Sequence, residues 1–384
     1  MKHRAERPQP DLPFLVAEAE REGPEDARSL ESVAREQDPT GESGAASPDG
    51  GQWIDGARVQ GSPTHPGTSH PGLKAGGAPF DAGQLRLVTR LAVGGMAEVW
   101  LAEADGEPGR VVVKRLLPAL RIDPASVERF RSEALLGAAL EHENLARTFG
   151  LYQRGLELFL VQELLGGETV GLLAAAARKN GERLAPAAVL HAAGGLLAAL
   201  GFLHGEEGAA LRLIHGDVNP DNLVARYDGS VKLIDLGLAQ ALRPDGCVHS
   251  PDGALRGTPA YMSPEQVKSR PLDARSDLFC AGTVLWELLA NRPLFAAETE
   301  YETLRRVREL PAPPLRSVWP EAPTSLERIL VRALAKEQAQ RYQHAADFAS
   351  ELRNAARREG LPAGADALAA ETARLAPKGP RAGG

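Results

Sequence analysis

The residues best suited to chemistry lie in the run His215-Gly216-Asp217-Val218-Asn219-Pro220-Asp221-Asn222, with Leu233-Ile234-Asp235-Leu236-Gly237 just downstream. An acid five residues before an amide, followed by a second acid, can orient a hydroxyl and hold Mg²⁺ against a triphosphate. The first acid would take up the hydroxyl proton; the amide and second acid supply the oxygen ligands a hard cation prefers. Further upstream, Leu91-Ala92-Val93-Gly94-Gly95-Met96-Ala97-Glu98-Val99 reads as a turn between two strands. Glycine there lets backbone N–H groups approach phosphates where a Cβ would intrude. Val111-Val112-Val113-Lys114 ends a β-branched run on a cation, and Glu133 follows on a helix-like stretch.

Positioning these groups requires particular elements. Leu85–Val88 and Val99–Ala102 alternate, and with Val111–Val113 they predict three strands joined by tight connections. Asp123-Pro124 reads as an N-cap with proline at the first helical position, opening a helix to about Leu140. On that helix Phe130, Ala134 and Gly137 share a side with Glu133, which directs the carboxylate inward. Strand character returns from Leu151 to Leu164, and helices are expected at about 186–204, 277–290, 324–335 and 344–356. The expected architecture is α+β, a small antiparallel β lobe followed by a larger helical lobe.

Composition bounds the rest. The 384 residues are 43% hydrophobic, enough for a substantial core, and the net charge of −7 argues against a nucleic-acid binder. Two cysteines make neither a disulfide framework nor a zinc site, so a reducing, cytoplasmic setting is expected. The first residues carry both signs of charge and do not resemble a signal peptide. Leu184–Leu203 is apolar but Ala/Gly-rich and interrupted by Pro186 and His191, so a core helix is expected and no membrane span. Residues 1–80 hold 8 Lys+Arg against 13 Asp+Glu, a net of −5, and are rich in Pro, Gly and Ser. Residues 1–82 are therefore expected to be a disordered tail, disorder being preferred over the alternative of a short helix around Pro13–Glu36 that docks a partner. A flexible Ala/Gly/Pro-rich tail is expected over 357–384.

In order and spacing the chain resembles the protein-kinase superfamily, and within it the bacterial eukaryotic-like Ser/Thr kinases. The resemblance covers about 86–355. Its most specific segment is Gly257-Thr258-Pro259-Ala260-Tyr261-Met262-Ser263-Pro264-Glu265-Gln266, followed by Arg275-Ser276-Asp277-Leu278, Gly282, Trp286-Glu287-Leu288 and Gln340-Arg341-Tyr342. It implies a bilobal kinase domain over 83–356, with lobes of about 83–163 and 164–356. It also implies ATP and Mg²⁺ as cofactors and a protein substrate. Lys114 would hold the α/β-phosphates and pair with Glu133, Asp217 would orient the acceptor hydroxyl, and Asn222 and Asp235 would ligate Mg²⁺. The Leu91–Ala97 turn would cover the phosphates. Backbone groups of Glu163 and Leu165 would meet the adenine edge, Leu91, Val99, Val112 and Val224 would pack on its faces, and Gln162 would gate the back of the pocket. The resemblance also pairs Arg341 with Glu265.

The departures are as informative. Ala92 and Ala97 replace two of three expected glycines, at a cost of about 1–2 kcal/mol wherever a left-handed backbone is needed. Val112 stands where a smaller alanine is usual, and Leu236 replaces a phenylalanine. Gly216 replaces the arginine that meets an activation-loop phosphate in many relatives, and Ser250 is the one hydroxyl between Gly237 and Gly257. Regulation by loop phosphorylation is therefore not expected. Asn219 replaces a lysine on the γ-phosphate, which weakens charge stabilisation. Two alternatives stay open: a pseudokinase scaffold, and a phosphotransferase of the aminoglycoside/choline type.

Overall fold

A computed structural model describes residues 52–53, 85–104, 109–206, 212–242, 246–248, 256–361 and 364–376. Among the described residues the chain divides into two compact units, one built from 52–53, 85–139 and 147–164, the other from 140–146 and 165–376.

The smaller unit contains a six-stranded antiparallel sheet. Its strands are β1 (Gln52–Trp53), β2 (Leu85–Val93), β3 (Ala97–Ala104), β4 (Arg110–Leu116), β5 (Thr148–Arg154) and β6 (Glu157–Glu163), in the order β1-β5-β6-β4-β3-β2. Helix α1 (Pro124–Ala138) starts as the sequence predicts: the Asp123 carboxylate accepts the Ser126 N–H at 3.0 Å and Pro124 occupies the first turn. Strand alternation sorts the sheet's side chains into two apolar layers. Val111, Val113, Phe159 and Val161 pack on one face, while Leu116, Leu158 and Leu160 meet Phe130 and Ala134 of α1 on the other.

The larger unit is mainly helical. It contains β7 (Gly167–Thr169), α2 (Val170–Lys179), α3 (Pro186–Leu203), β8 (Leu213–Ile214), β9 (Leu223–Arg226), β10 (Val231–Leu233) and β11 (Gln240–Ala241). These strands form a three-stranded sheet, β10-β9-β7, and the pair β11-β8. The helices continue as α4 (Pro264–Val267), α5 (Ala274–Ala290), α6 (Glu300–Glu309), α7 (Thr324–Ala333), α8 (Ala345–Arg358) and α9 (Ala365–Leu375). Helix α3 is long and apolar enough to cross a membrane, yet it packs inside this unit against α5, α8 and α9, as a core helix does.

Three expectations are corrected. Residues 140–146 belong to the larger unit, because Ala146 N–H donates to Leu233 O at 2.9 Å and Asn144 Nδ2 to Val231 O at 2.9 Å. The tail expected from 357 is ordered over α9, which buries Leu368, Thr372 and Leu375 and joins Arg374 to Glu182 and Glu371. Within 1–82, Gln52–Trp53 form a strand on β5. The Pro13–Glu36 helix lies outside the described residues.

Candidate active site

In the smaller unit the β2–β3 hairpin closes with Gly94 N–H donating to Ala97 O at 2.8 Å. A Cβ on Gly95 would meet nothing within 4 Å, and one on Gly94 only Ala97 O at 3.5 Å. Packing within the hairpin therefore does not demand these glycines, and the space beside them is open. Ala92 and Ala97 lie in strands, and neither is among the described residues with positive φ, so the anticipated left-handed penalty does not arise. Leu91, Met96 and Val99 are half-buried along the hairpin, while Val93 is 54% exposed.

Alternation along β4 places Val112, Lys114 and Leu116 on the face that carries α1. Lys114 Nζ and Glu133 Oε1 meet there at 2.7 Å, with side-chain exposures of 15% and 10%. Val99 lies opposite Lys114, and Gln162 opposite Val112, with Gln162 Nε2 donating to Thr148 Oγ1 at 3.1 Å. Glu163 commits its own N–H to Arg147 O at 2.9 Å, and its carboxylate accepts the Arg147 N–H at 2.7 Å. Its amide is therefore committed within the smaller unit and is not the group for the expected adenine contact.

The larger unit holds the other groups. Asp217 Oδ1 accepts both the N–H and the hydroxyl of Thr258, at 2.9 and 3.0 Å, while Oδ2 accepts Asn222 Nδ2 at 3.2 Å. Asn222 Nδ2 also donates to Asp217 O at 2.9 Å, so its amide hydrogens face Asp217 and its carbonyl oxygen remains as a ligand. Ile234 N–H donates to Asn222 O at 2.9 Å, which draws the Asp235 segment beside this loop. Asp235 has a φ of 67° and accepts the Gly237 N–H at 3.0 Å. Among the described residues no three His, Cys, Asp or Glu side chains cluster as a metal cage. One carboxylate and one amide oxygen suit Mg²⁺ that arrives with phosphates rather than in a protein cage. Leu165 and Val224 are buried in this unit, each 7% exposed.

Asn219 uses both ends of its side chain. Its oxygen caps the 3₁₀ turn Pro220–Asn222 by accepting from Asp221 N–H and Asn222 N–H, and Nδ2 donates to Asp217 O and Thr258 Oγ1 at 3.2 Å each. Burial, then the Asp217 charge, raises the neighbouring Asp221 carboxyl above its ordinary value, against the pull of Arg178. Gly216 has a φ of +79°, its carbonyl accepts Gln266 Nε2 at 2.8 Å, and a Cβ there would lie 3.0 Å from Leu238 O.

Beneath the loop, Asp277 accepts His215 N–H, Gly216 N–H and His204 Nε2, each at 2.9 Å. Burial pushes its carboxyl up, but the hydrogen bond and charge of His204, the His215 charge and the Gly216 N–H pull it below the ordinary range. Arg341 and Glu265 form the expected pair through two bonds of 2.7 and 2.8 Å. The remaining Arg341 donors reach Ala335 O, Arg275 O and Lys336 O, so all five are satisfied.

A family model described as protein kinase domain matches residues 86–352. The chain belongs to the protein kinase family. Tyrosine-protein kinase MasK of Myxococcus xanthus is 36% identical over 296 residues, covering 75% of this chain and 45% of that one. Serine/threonine-protein kinase PknB of Mycolicibacterium smegmatis is 34% identical over 270 residues, covering 68% and 41%. The chain thus spans less than half the length of these curated relatives. The crystal structure of the Mycobacterium tuberculosis PknI kinase domain superposes with a TM-score of 0.55 at 24% identity, covering 74% of this chain and all of that domain. The kinase fold accounts for the β sheet of the smaller unit and the helices of the larger. Sequence reasoning did not foresee that Thr258 and Gln266 bond the catalytic loop directly, because partners 41 and 50 residues distant leave no periodic signal. Nor did it foresee that Asp277 fixes two backbone amides of that loop.

Proposed function

We propose that the chain transfers the γ-phosphoryl group of Mg-ATP to Ser/Thr hydroxyls of a protein substrate. The closed Lys114–Glu133 pair carries this reading. A protein kinase needs that pair in place. Lys114 would then hold the α/β-phosphates, and the Asn222 carbonyl and Asp235 carboxylate would hold Mg²⁺, which neutralises charge on the phosphates. Asp217 would accept the hydroxyl proton. Its hydrogen bond from the Thr258 hydroxyl is the kind of contact an acceptor hydroxyl would make. Asn219, engaged at both ends in shaping the loop, contributes no cation. Residues 83–356 would form the catalytic domain. Cys280, a buried thiol, is consistent with a reducing, cytoplasmic setting.

Purified protein given labelled Mg-ATP and a generic protein substrate tests this, with Lys114→Ala and Asp217→Asn alongside. Transfer lost in both variants supports the kinase. Nucleotide-dependent stabilisation without transfer supports the pseudokinase, and transfer to small alcohols alone supports a small-molecule phosphotransferase. The name of MasK and the absence of a lysine at Asn219 favour a second reading, with tyrosine as acceptor. Phosphoamino-acid analysis of the product separates the two. Gly216 brings no cation to an activation-loop phosphate, so activity would be constitutive or set by partner binding. Ser250 lies outside the described residues; a Ser250→Ala variant should keep its activity.

A further inference from the structure

The structure assigns a role to the amino-terminal tail: its backbone at Gln52–Trp53 docks in cis on the edge of β5 and, through β5, holds α1 where Glu133 meets Lys114. The regulatory half of this rests on the kinase reading; the docking half does not.

Strand β5 pairs with β6 on one side and with β1 on the other, through Gln52↔Gln153 and Trp53↔Tyr152. Without β1 that edge would present unpaired N–H and C=O groups, the template on which extended segments add. The occupant comes from within the chain. Residues 54–84 separate β1 from β2, and these two strands lie at opposite edges of the sheet. Thirty-one residues reach at most about 100 Å, several times the roughly 25 Å across five strand spacings, so the return is unconstrained by length. The segment 52–53 also lies outside the matched kinase domain, which begins at 86.

Docking at this point bears on the ion pair through three contacts. Gln153, the residue opposite Gln52, accepts a long 3.4 Å bond from Arg131 Nη2 of α1. Leu151 of β5 packs in one cluster with Phe130 and Ala134 of α1. At Gly137 the helix sits so close that a Cβ would lie 2.6 Å from Thr148 Oγ1 of β5. Glu133 lies within this same stretch of α1, two residues beyond Arg131. A ladder of two residues is short enough to open without unfolding the unit. Occupancy of the β5 edge therefore biases α1 between a braced and a looser state, a population shift in which the tail is the ligand.

The full chain carrying Gln52→Pro and Trp53→Pro tests this, since proline removes the N–H a ladder needs. Amide exchange over Thr148–Arg154 should rise at least about tenfold at positions not bonded to β6. Mg-ATP affinity should weaken by about three- to tenfold, and in a Lys114→Ala background the proline pair should add no further loss. Unchanged β5 exchange overturns the docking. Faster exchange with unchanged nucleotide affinity, or an equal loss in the Lys114→Ala background, overturns the coupling to the ion pair. If the wild-type chain transfers no phosphoryl group, the kinase reading fails on its own, while exchange and nucleotide affinity still decide this one.

Discussion

Lys114–Glu133 in the smaller unit and the Asp217 loop in the larger one are held by different physics. The first includes an ion pair between side chains that keep 15% and 10% of their surface in water. The second hangs on Asp277, 1% exposed, and lies near the Glu265–Arg341 pair, where Arg341 is 1% exposed and every donor is used. A pair that keeps some access to water is easier to reorganise than a fully buried one. A buried network is costly to break and keeps one geometry. The Lys114–Glu133 pair is thus the more adjustable of the two, and the Asp217 loop the more fixed.

Removing Arg341 gives the largest break in that contrast. Burial pushes the Glu265 carboxyl up, and Arg341 with Ser276 pulls it below the ordinary value. Arg341→Met would leave a buried carboxylate without its cation, at a cost of about 3–5 kcal/mol. Thermal denaturation should show the midpoint falling by about 6–20 °C. Adding Glu265→Leu should recover only part of the loss, because the charge is gone but Ala335 O, Arg275 O and Lys336 O still lack the donors that Arg341 supplied. Complete recovery would show that the charge alone needed the arginine.

Asp277→Asn comes next, at about 2–4 kcal/mol, because an amide oxygen replaces a charge that accepts three donors. The pH dependence has a definite sign. The folded Asp277 carboxyl lies below its ordinary value, so its contribution is complete above the unfolded value of about 3.9. It is lost as pH falls through the depressed folded value. Stability of the wild-type chain should therefore decline in acid more steeply than that of Asp277→Asn. Parallel acid limbs would mean that the charge at Asp277 is not what holds the loop.

Legibility in the sequence followed the range of the interaction. The N-cap at Asp123, the β-branched run of β4 and the inward Glu133 are local patterns, and each is found in the fold. Gly216 was legible only as a missing cation; that its φ of +79° also favours glycine depends on Asp277 and Leu238, which are distant in sequence. Helix α9 was hidden by composition: an Ala/Gly-rich stretch reads as a tail until β9, α2 and α3 supply a surface for Leu368 and Leu375. Gln52–Trp53 carries no strand pattern of its own, because a two-residue ladder is specified by the edge it meets.

Glu133→Gln probes the smaller unit with the smallest expected effect on stability. The amide can still accept a hydrogen bond from Lys114, so only the charge is lost. Because Gln keeps the shape and the hydrogen bond, the folding cost should stay below the roughly 3–5 kcal/mol of breaking a fully buried pair. Catalysis should suffer more, because a lysine without the Glu133 charge holds the phosphates less firmly, and positioning dominates phosphoryl transfer. Transfer should fall by about a hundredfold, or about 2.7 kcal/mol in barrier, with the denaturation midpoint falling less than in Arg341→Met. Steady-state kinetics beside thermal denaturation decides it. If Glu133→Gln destabilises the fold as much as Arg341→Met, the pair is part of the framework and the division between an adjustable pair and a fixed loop does not hold.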